Sequence, residues 1–236
     1  MSGRRFDGRT AVITGASRGI GALTAAALAH DGARVVSLSR TPPAAGSGVD
    51  HIQCDVTRPA SVAAAAADAL KRFGAPPDIL INNAGIFQVA PLDEMTIETF
   101  TETVNTNLLG PFLVLNAFLG AMRHRGSGHV VTIGSVADRA AFKENGAYSA
   151  AKYGLRGMIE VLRTELRGSG VRATLISPST VDTAIWNSLA GDGGDLPGRF
   201  PPRSAMLRGE DVVAAIVFAL TQPERVNVDE LRLSHS

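Results

Sequence analysis

Several residue types are scarce in this chain, and each shortage excludes something. Among 236 residues there is one cysteine, Cys54, so no intramolecular disulfide can form and a reducing, cytoplasmic setting is expected. The five histidines, at positions 30, 51, 124, 129 and 235, are scattered, and no pair has ligand spacing beside cysteine or carboxylates. No metal site is expected. Lysine plus arginine (23) nearly balances aspartate plus glutamate (22), so there is no electrostatic footprint for nucleic acid or an anionic membrane. Apolar runs are short: 108–122, "LLGPFLVLNAFLGAM", is interrupted and reads as too short to cross a bilayer. The arginines near the N-terminus are followed by no apolar segment, so no signal peptide is expected. Aromatic residues make up 5%, with one tryptophan, Trp186, and two tyrosines, Tyr148 and Tyr153. Lysine is nearly as rare: Lys71, Lys143 and Lys152 stand against twenty arginines.

What is present is alternation. Short, near-continuous apolar runs at 10–14, 34–39, 51–55, 78–82, 129–135, 172–177 and 230–234 read as buried parallel strands. Helical stretches at 19–30, 59–73, 96–124, 146–168 and 209–221 separate most of them. In the second helix Thr57 is placed to cap and Pro59 to occupy the first turn. The pattern predicts a single α/β domain over 1–236, with a mainly parallel, doubly wound sheet of seven strands and helices on both faces. One stretch breaks the rhythm: 187–204, "NSLAGDGGDLPGRFPPRS", reads as a functional loop, the core of a substrate lid at about 184–205.

Two motifs carry chemistry. The first strand runs into "TGASRGIGA" (14–22) and then a helix, which is the setting for a diphosphate-binding turn. The spacing is T-G-x-x-x-G-x-G rather than the general G-x-G-x-x-G fingerprint, whose third glycine is replaced by Thr24. The second motif is "YSAAK" (148–152), which puts Tyr148 and Lys152 one helical turn apart on one face. An ordinary phenol, with a pKa of about 10, is a poor base at neutral pH. Lowering it by about three units needs about 4 kcal/mol, which a nearby cation in a partly desolvated site supplies. A compact ammonium with three donors suits that task better than a guanidinium fork. Ser135, at the end of its strand, reads alone as either a turn cap or a site residue. Asn107, inside a helix, reads as a core amide bonded to backbone.

"TGASRGIG", "NNAG" (82–85), Asn107, Ser135 and "YSAAK" occur in that order, and together they resemble the short-chain dehydrogenase/reductase family in its short, single-domain, Rossmann-like form. The resemblance covers essentially the whole chain. It implies an Asn107–Ser135–Tyr148–Lys152 catalytic set. Ser135 would bond the substrate oxygen and Tyr148 would be the general acid or base. Lys152 would hold the nicotinamide ribose and lower the Tyr148 pKa, and Asn107 would bend its helix and hold a water linking Lys152 to solvent. It also implies that Gly15, Ser17, Arg18, Gly19, Ile20 and Gly21 carry the diphosphate, that Asp55 and Val56 meet the adenine, and that Asn83, Ala84 and Gly85 line the adenosine ribose. Pro178, Val181 and Thr183 match the segment that passes the nicotinamide. Ser179 departs from the usual glycine there, and fits if its φ is negative. Family members usually form tetramers through the helices carrying Asn107 and Tyr148, so a homo-oligomer, tetramer or dimer, is implied.

An NAD-selecting carboxylate is expected at the end of the second strand. That place holds Ser39 followed by Arg40, and Arg18 lies in the glycine loop. Two arginines and no acid favour NADP(H) over NAD(H). The reading is an NADP(H)-dependent oxidoreductase acting on a small carbonyl/secondary-alcohol substrate, with 3-oxoacyl thioesters and small ketones or hydroxy acids both open. The alternative is a catalytically silent dinucleotide sensor or scaffold of the same fold. Val89, Ala137, Phe142, Asn145, Thr180 and Trp186 are the expected substrate-pocket residues. Lys143 is read as a solvated charge and Cys54 as a buried hydrophobe.

Overall fold

In the computed structural model, residues 4–189, 196–198 and 200–236 are described. All seven expected strands form: β1 (Thr10–Thr14), β2 (Arg34–Ser39), β3 (Val49–Gln53), β4 (Ile79–Asn82), β5 (Gly128–Ile133), β6 (Val171–Pro178) and β7 (Glu230–Leu233). They make one parallel sheet in the order β3-β2-β1-β4-β5-β6-β7. The order reverses direction between β1 and β4, and a crevice opens there beyond the carboxyl ends of the strands.

Alternation along each strand divides the core in two. Val12, Leu80, Val130 and Leu175 point to one face, where α2 (Pro59–Phe73), α4 (Gly110–Arg125) and α5 (Gly146–Glu165) cover them. Ile13, Ile81, Val131 and Ile176 point to the other, under α1 (Gly19–His30) and α6 (Gly209–Leu220). The buried stripes have helical spacing, as in Val62, Ala65, Ala66 and Ala69 of α2. With both faces covered, the interior strands have no polar face, which is why they read as apolar runs.

Three sequence expectations need correction. β3 lies two residues earlier than 51–55, because Val49–Gln53 is the stretch in register with Val35–Ser39. Thr57 does not cap α2; its hydroxyl donates to Asp55 Oδ1 (2.7 Å), and Arg58 is the N-cap, with Pro59 in the first turn as expected. The helix predicted at 96–124 is α3 (Ile97–Val104), a π turn at Asn105–Leu109, and α4. That continuous run of 29 residues is long and apolar enough to cross a bilayer, so length does not exclude a membrane span as the shorter reading of 108–122 suggested. Within it Val114, Leu115, Phe118 and Met122 are buried against the sheet.

Two short 3₁₀ turns, Ala184–Ser188 and Arg203–Ala205, flank the expected lid. Residues 190–195 and 199 of the 187–204 loop lie outside the described residues. A parallel bridge from Val181 to Leu207 closes the base of the loop.

Candidate active site

The crevice is a cavity of about 730 Å³. At one end β1 enters the glycine loop. Gly15 has φ +68°, and a β-carbon there would stand 2.9 Å from Ala84 Cα, so only glycine lets the loop pack on the exit of β4. Thr14 Oγ1 accepts from the backbone N–H of both Asn83 and Ala84 (3.0 Å each), and Asn83 Nδ2 donates to Thr14 O (2.9 Å) and Gly15 O (3.2 Å). The Asn83 amide nitrogen is therefore spent on holding the loop. α1 starts at Gly19, so its first-turn N–H groups and positive dipole end face the cavity.

Gly15, Ser17, Arg18, Gly19 and Ile20 line the cavity, as do Ser39, Arg40, Asp55, Val56, Asn83, Ala84 and Gly85. So do Pro178, Val181 and Thr183. Gly21 is not on its wall. A methyl at Gly21 would overlap the Asn83 amide and the Gly15 carbonyl, so this glycine lets the loop pack on Asn83. Ser179 does not have a positive φ, so the serine is accommodated without strain. Arg18 and Arg40 are both exposed, and among the described residues neither has an ion-pair partner. Asp55 is close by, but its Oδ1 accepts from the Thr57 hydroxyl and N–H, and Arg58 Nε lies 3.5 Å from Oδ2. Those bonds, led by the Thr57 hydroxyl, hold its carboxyl below the usual range. The loop and the helix end, with the exposed Arg18 and Arg40 at the cavity, can hold a dinucleotide.

At the other end, β5 delivers Ser135 and α5 delivers Tyr148 and Lys152. Ser135 caps a turn at the edge of the cavity. Its hydroxyl oxygen accepts from Ala137 N–H (3.1 Å), capping a 3₁₀ turn, and the same side chain hydrogen-bonds the Tyr148 phenol. The Lys152 Nζ lies 5.6 Å from the Tyr148 ring centre and donates to Ile133 O (2.9 Å). Burial dominates both groups. It pushes the Tyr148 phenol up to about 12, against the Ser135 bond, and the Lys152 ammonium down to about 8. Desolvation is the leading cause acting on the Tyr148 phenol, and the opposing pull comes from Ser135. Asp138 was not anticipated from the sequence. Fully buried, it accepts from Ser177 Oγ (2.8 Å) and Arg139 Nε (2.6 Å), Arg139 reaches on to Glu230, and its charge raises both Tyr148 and Lys152.

Asn107 sits in the π turn. Its Nδ2 donates to Ile86 O (3.0 Å) and Thr103 O (2.9 Å), and its Oδ1 accepts from Ile86 N (3.3 Å). A side chain at Gly85 would strike that Oδ1, which explains the glycine of "NNAG". The core-amide reading thus describes its visible bonds. A π turn inside a helix often marks a functional site.

Beyond Tyr148 the cavity wall is aromatic. Phe87 stacks edge-on against Tyr148 (4.9 Å between centres) and Trp186 (5.0 Å), and Trp186 lies 5.3 Å from Phe200. Of the expected pocket residues, Ala137, Phe142, Asn145, Thr180 and Trp186 line the cavity. Val89 packs behind this cluster, and Phe87, two residues earlier and missed in the sequence, forms the wall instead. Its only sequence signal was its place just after "NNAG". Lys143 is exposed but borders the cavity; Cys54 is buried and burial raises its thiol.

Comparison with known proteins agrees with this geometry. The family model for short chain dehydrogenases matches residues 9–192. The D-threitol dehydrogenase of Mycolicibacterium smegmatis is 37% identical, over 91% of this chain and 86% of that protein. Among solved structures, an alcohol dehydrogenase from the archaeon Thermococcus sibiricus, complexed with 5-hydroxy-NADP, is 30% identical over 95% of each chain, with a TM-score of 0.81. A metagenomic short-chain oxidoreductase in complex with NADP is also 30% identical with a TM-score of 0.81, over 98% of this chain and 99% of that one. Fold and cleft are those of a nucleotide-dependent α/β oxidoreductase. The chain belongs to the short-chain dehydrogenase/reductase family.

Proposed function

We propose that the protein is an NADP(H)-dependent carbonyl reductase and alcohol dehydrogenase, with Tyr148 as its general acid and base. The observation that carries this reading is the meeting of Ser135, Tyr148 and Lys152 on one wall of the cavity that also holds the glycine loop. Bound NADPH supplies a hydride to a carbonyl carbon. Ser135 and Tyr148 then orient the carbonyl oxygen, and Tyr148 donates its proton to the oxygen as negative charge develops there. A phenol held near 12 is protonated at neutral pH, which suits the reducing direction. Lys152 would bond the ribose, and a water near Asn107 would return the proton. Arg18 and Arg40 would read the 2′-phosphate, a preference supported by the two NADP-bound relatives. Turnover would lie under the 184–205 lid. Exposed Phe112, Tyr153 and Val161 on α4 and α5 support a homo-oligomer, with sedimentation of the purified chain as the check. The buried free thiol of Cys54 fits a reducing, cytoplasmic setting.

Tyr148→Phe is the deciding variant. Ketone-dependent NADPH oxidation should fall by about 10²–10⁴-fold while NADPH binding, followed by Trp186 fluorescence and thermal shift, persists. Retained turnover would remove Tyr148 from the chemistry. Arg40→Asp should move the kcat/KM ratio toward NADH by at least about tenfold; an unchanged ratio would show that Arg40 does not read the phosphate.

A further inference from the structure

Asn145 is the N-cap residue of α5, where an asparagine side chain ordinarily accepts a bond from the helix's first turn. Here it makes no cap bond. The residue is only 6% exposed, and among the described residues its Oδ1 has no hydrogen-bond partner. This carboxamide lines the cavity three residues before Tyr148, on the same side of the helix start. A buried carboxamide that forgoes its cap and leaves its oxygen unbonded is poised for a ligand. The hydroxyls of Ser179 and Thr180 also lack partners, but they follow Pro178, on the segment expected to face the nicotinamide.

The surroundings restrict what that ligand can be. Phe87, Trp186 and Phe200 form an apolar wall, and the Trp186 N–H is already given to Val181 O (2.8 Å). The charges bordering this end of the cavity, Glu102 and Lys143, are exposed at its mouth. Among the described residues lining the cavity, the buried charge is Lys152, which is bonded to Ile133 O. A neutral group that both donates and accepts pairs with a carboxamide in either orientation, and a hydroxyl does this.

We propose that Asn145 reads a hydroxyl one or two carbons from the reacting carbonyl, so that the substrates are hydroxy ketones, and in reverse the corresponding diols, with an aromatic or branched apolar body against Phe87, Trp186 and Phe200. This rests on the carbonyl-reductase reading. The carbonyl carbon takes a hydride from NADPH, the oxygen takes the Tyr148 proton, and a diol and NADP⁺ result. Asn145 acts by holding the neighbouring hydroxyl, which fixes the face and distance of the carbonyl.

The test uses the full chain and three ketones with NADPH: 2-hydroxyacetophenone, acetophenone and dihydroxyacetone. The wild type should prefer 2-hydroxyacetophenone over each of the others by about 10- to 100-fold in kcat/KM. Asn145→Ala should erase the preference over acetophenone by slowing only the hydroxylated ketone. Asn145→Ser, which retains a good helix cap, should do the same and guards against a folding defect. Equal losses on both aryl ketones, or an unchanged ratio, would overturn the role of Asn145. A preference for dihydroxyacetone would overturn the apolar half. NADPH binding without turnover of any of the three would overturn the substrate class and leave the nucleotide site standing. Absence of NADPH binding would instead defeat the underlying reading.

Discussion

Asp138 is buried behind the Ser135 turn, where Ser177 and Arg139 hold it and Glu230 shares the guanidinium. It touches neither Tyr148 nor Lys152, so it acts as a positioning charge. Burial alone would drive Lys152 toward its neutral form, and Asp138 opposes that. Asp138→Asn should therefore let Lys152 lose its proton at lower pH. The alkaline fall of kcat/KM, set by a lysine near 8, should move down by roughly one pH unit. A pH–rate profile that falls in height but keeps its limbs would mean that Asp138 matters only for structure. The sequence did not single this residue out: Ser177 lies 39 positions away, and Glu230, which shares Arg139 with it, lies on the last strand.

At the scale of elements, Arg203 clasps described residues on the two sides of the 187–204 loop. Arg203 donates to Asp182 Oδ1 (2.6 Å), Thr183 O (3.3 Å) and Asn187 Oδ1 (2.8 Å), joining the two sides of the loop across the bridge of Val181 and Leu207. The ion pair is half-exposed, so its loss should cost only about 0–1 kcal/mol of global stability. Its effect should be local. Arg203→Ala is expected to raise the ketone KM by about three- to tenfold with a smaller change in kcat and little change in Tm, because the aromatic wall behind it loses its support. An unchanged KM would show that the lid does not depend on this clasp. The periodicity that gave the other elements so clearly was silent in this loop. Its short 3₁₀ turns are held by cross-loop bonds rather than by a repeating apolar face.

At the scale of the molecule, the sheet buries a histidine far from the cavity. His129 in β5 bonds Thr174 through Nε2 (2.8 Å), its Nδ1 has no partner, and burial, helped by Arg172, lowers it to about 3. Its ordinary value is 6.5. Above that pH both the folded and unfolded chains hold it neutral, and it contributes no pH dependence. Between about 6.5 and 3 the unfolded chain binds a proton that the folded chain refuses, so stability falls as pH falls, by up to about 1.4 kcal/mol per unit. From pH 7.5 to pH 5 this amounts to about 2 kcal/mol. Urea unfolding at the two values should show a drop smaller by that amount in His129→Gln. Equal drops in the two proteins would place the acid sensitivity elsewhere.

Much of this protein was determined by its sequence alone. Strand and helix order, the parallel sheet, the glycine turn and the Tyr148–Lys152 pair all follow from spacings within one element or one junction, and such spacings are visible in a linear chain. Asn145 was legible as a pocket residue for the same reason, being one turn from Tyr148. The tertiary structure decided what depends on distant partners. Phe87 meets Trp186 and Phe200 only across the cavity, Asn83 lies over Gly21 only in the folded loop, and the Asp138–Arg139 pair gains Ser177 and Glu230 only when β6 and β7 come alongside. The protonation of Tyr148 belongs with these. The residue pair suggested a lowered phenol, but enclosure by the folded cavity raises it, because desolvation is a property of the whole surrounding and not of any neighbour four residues away.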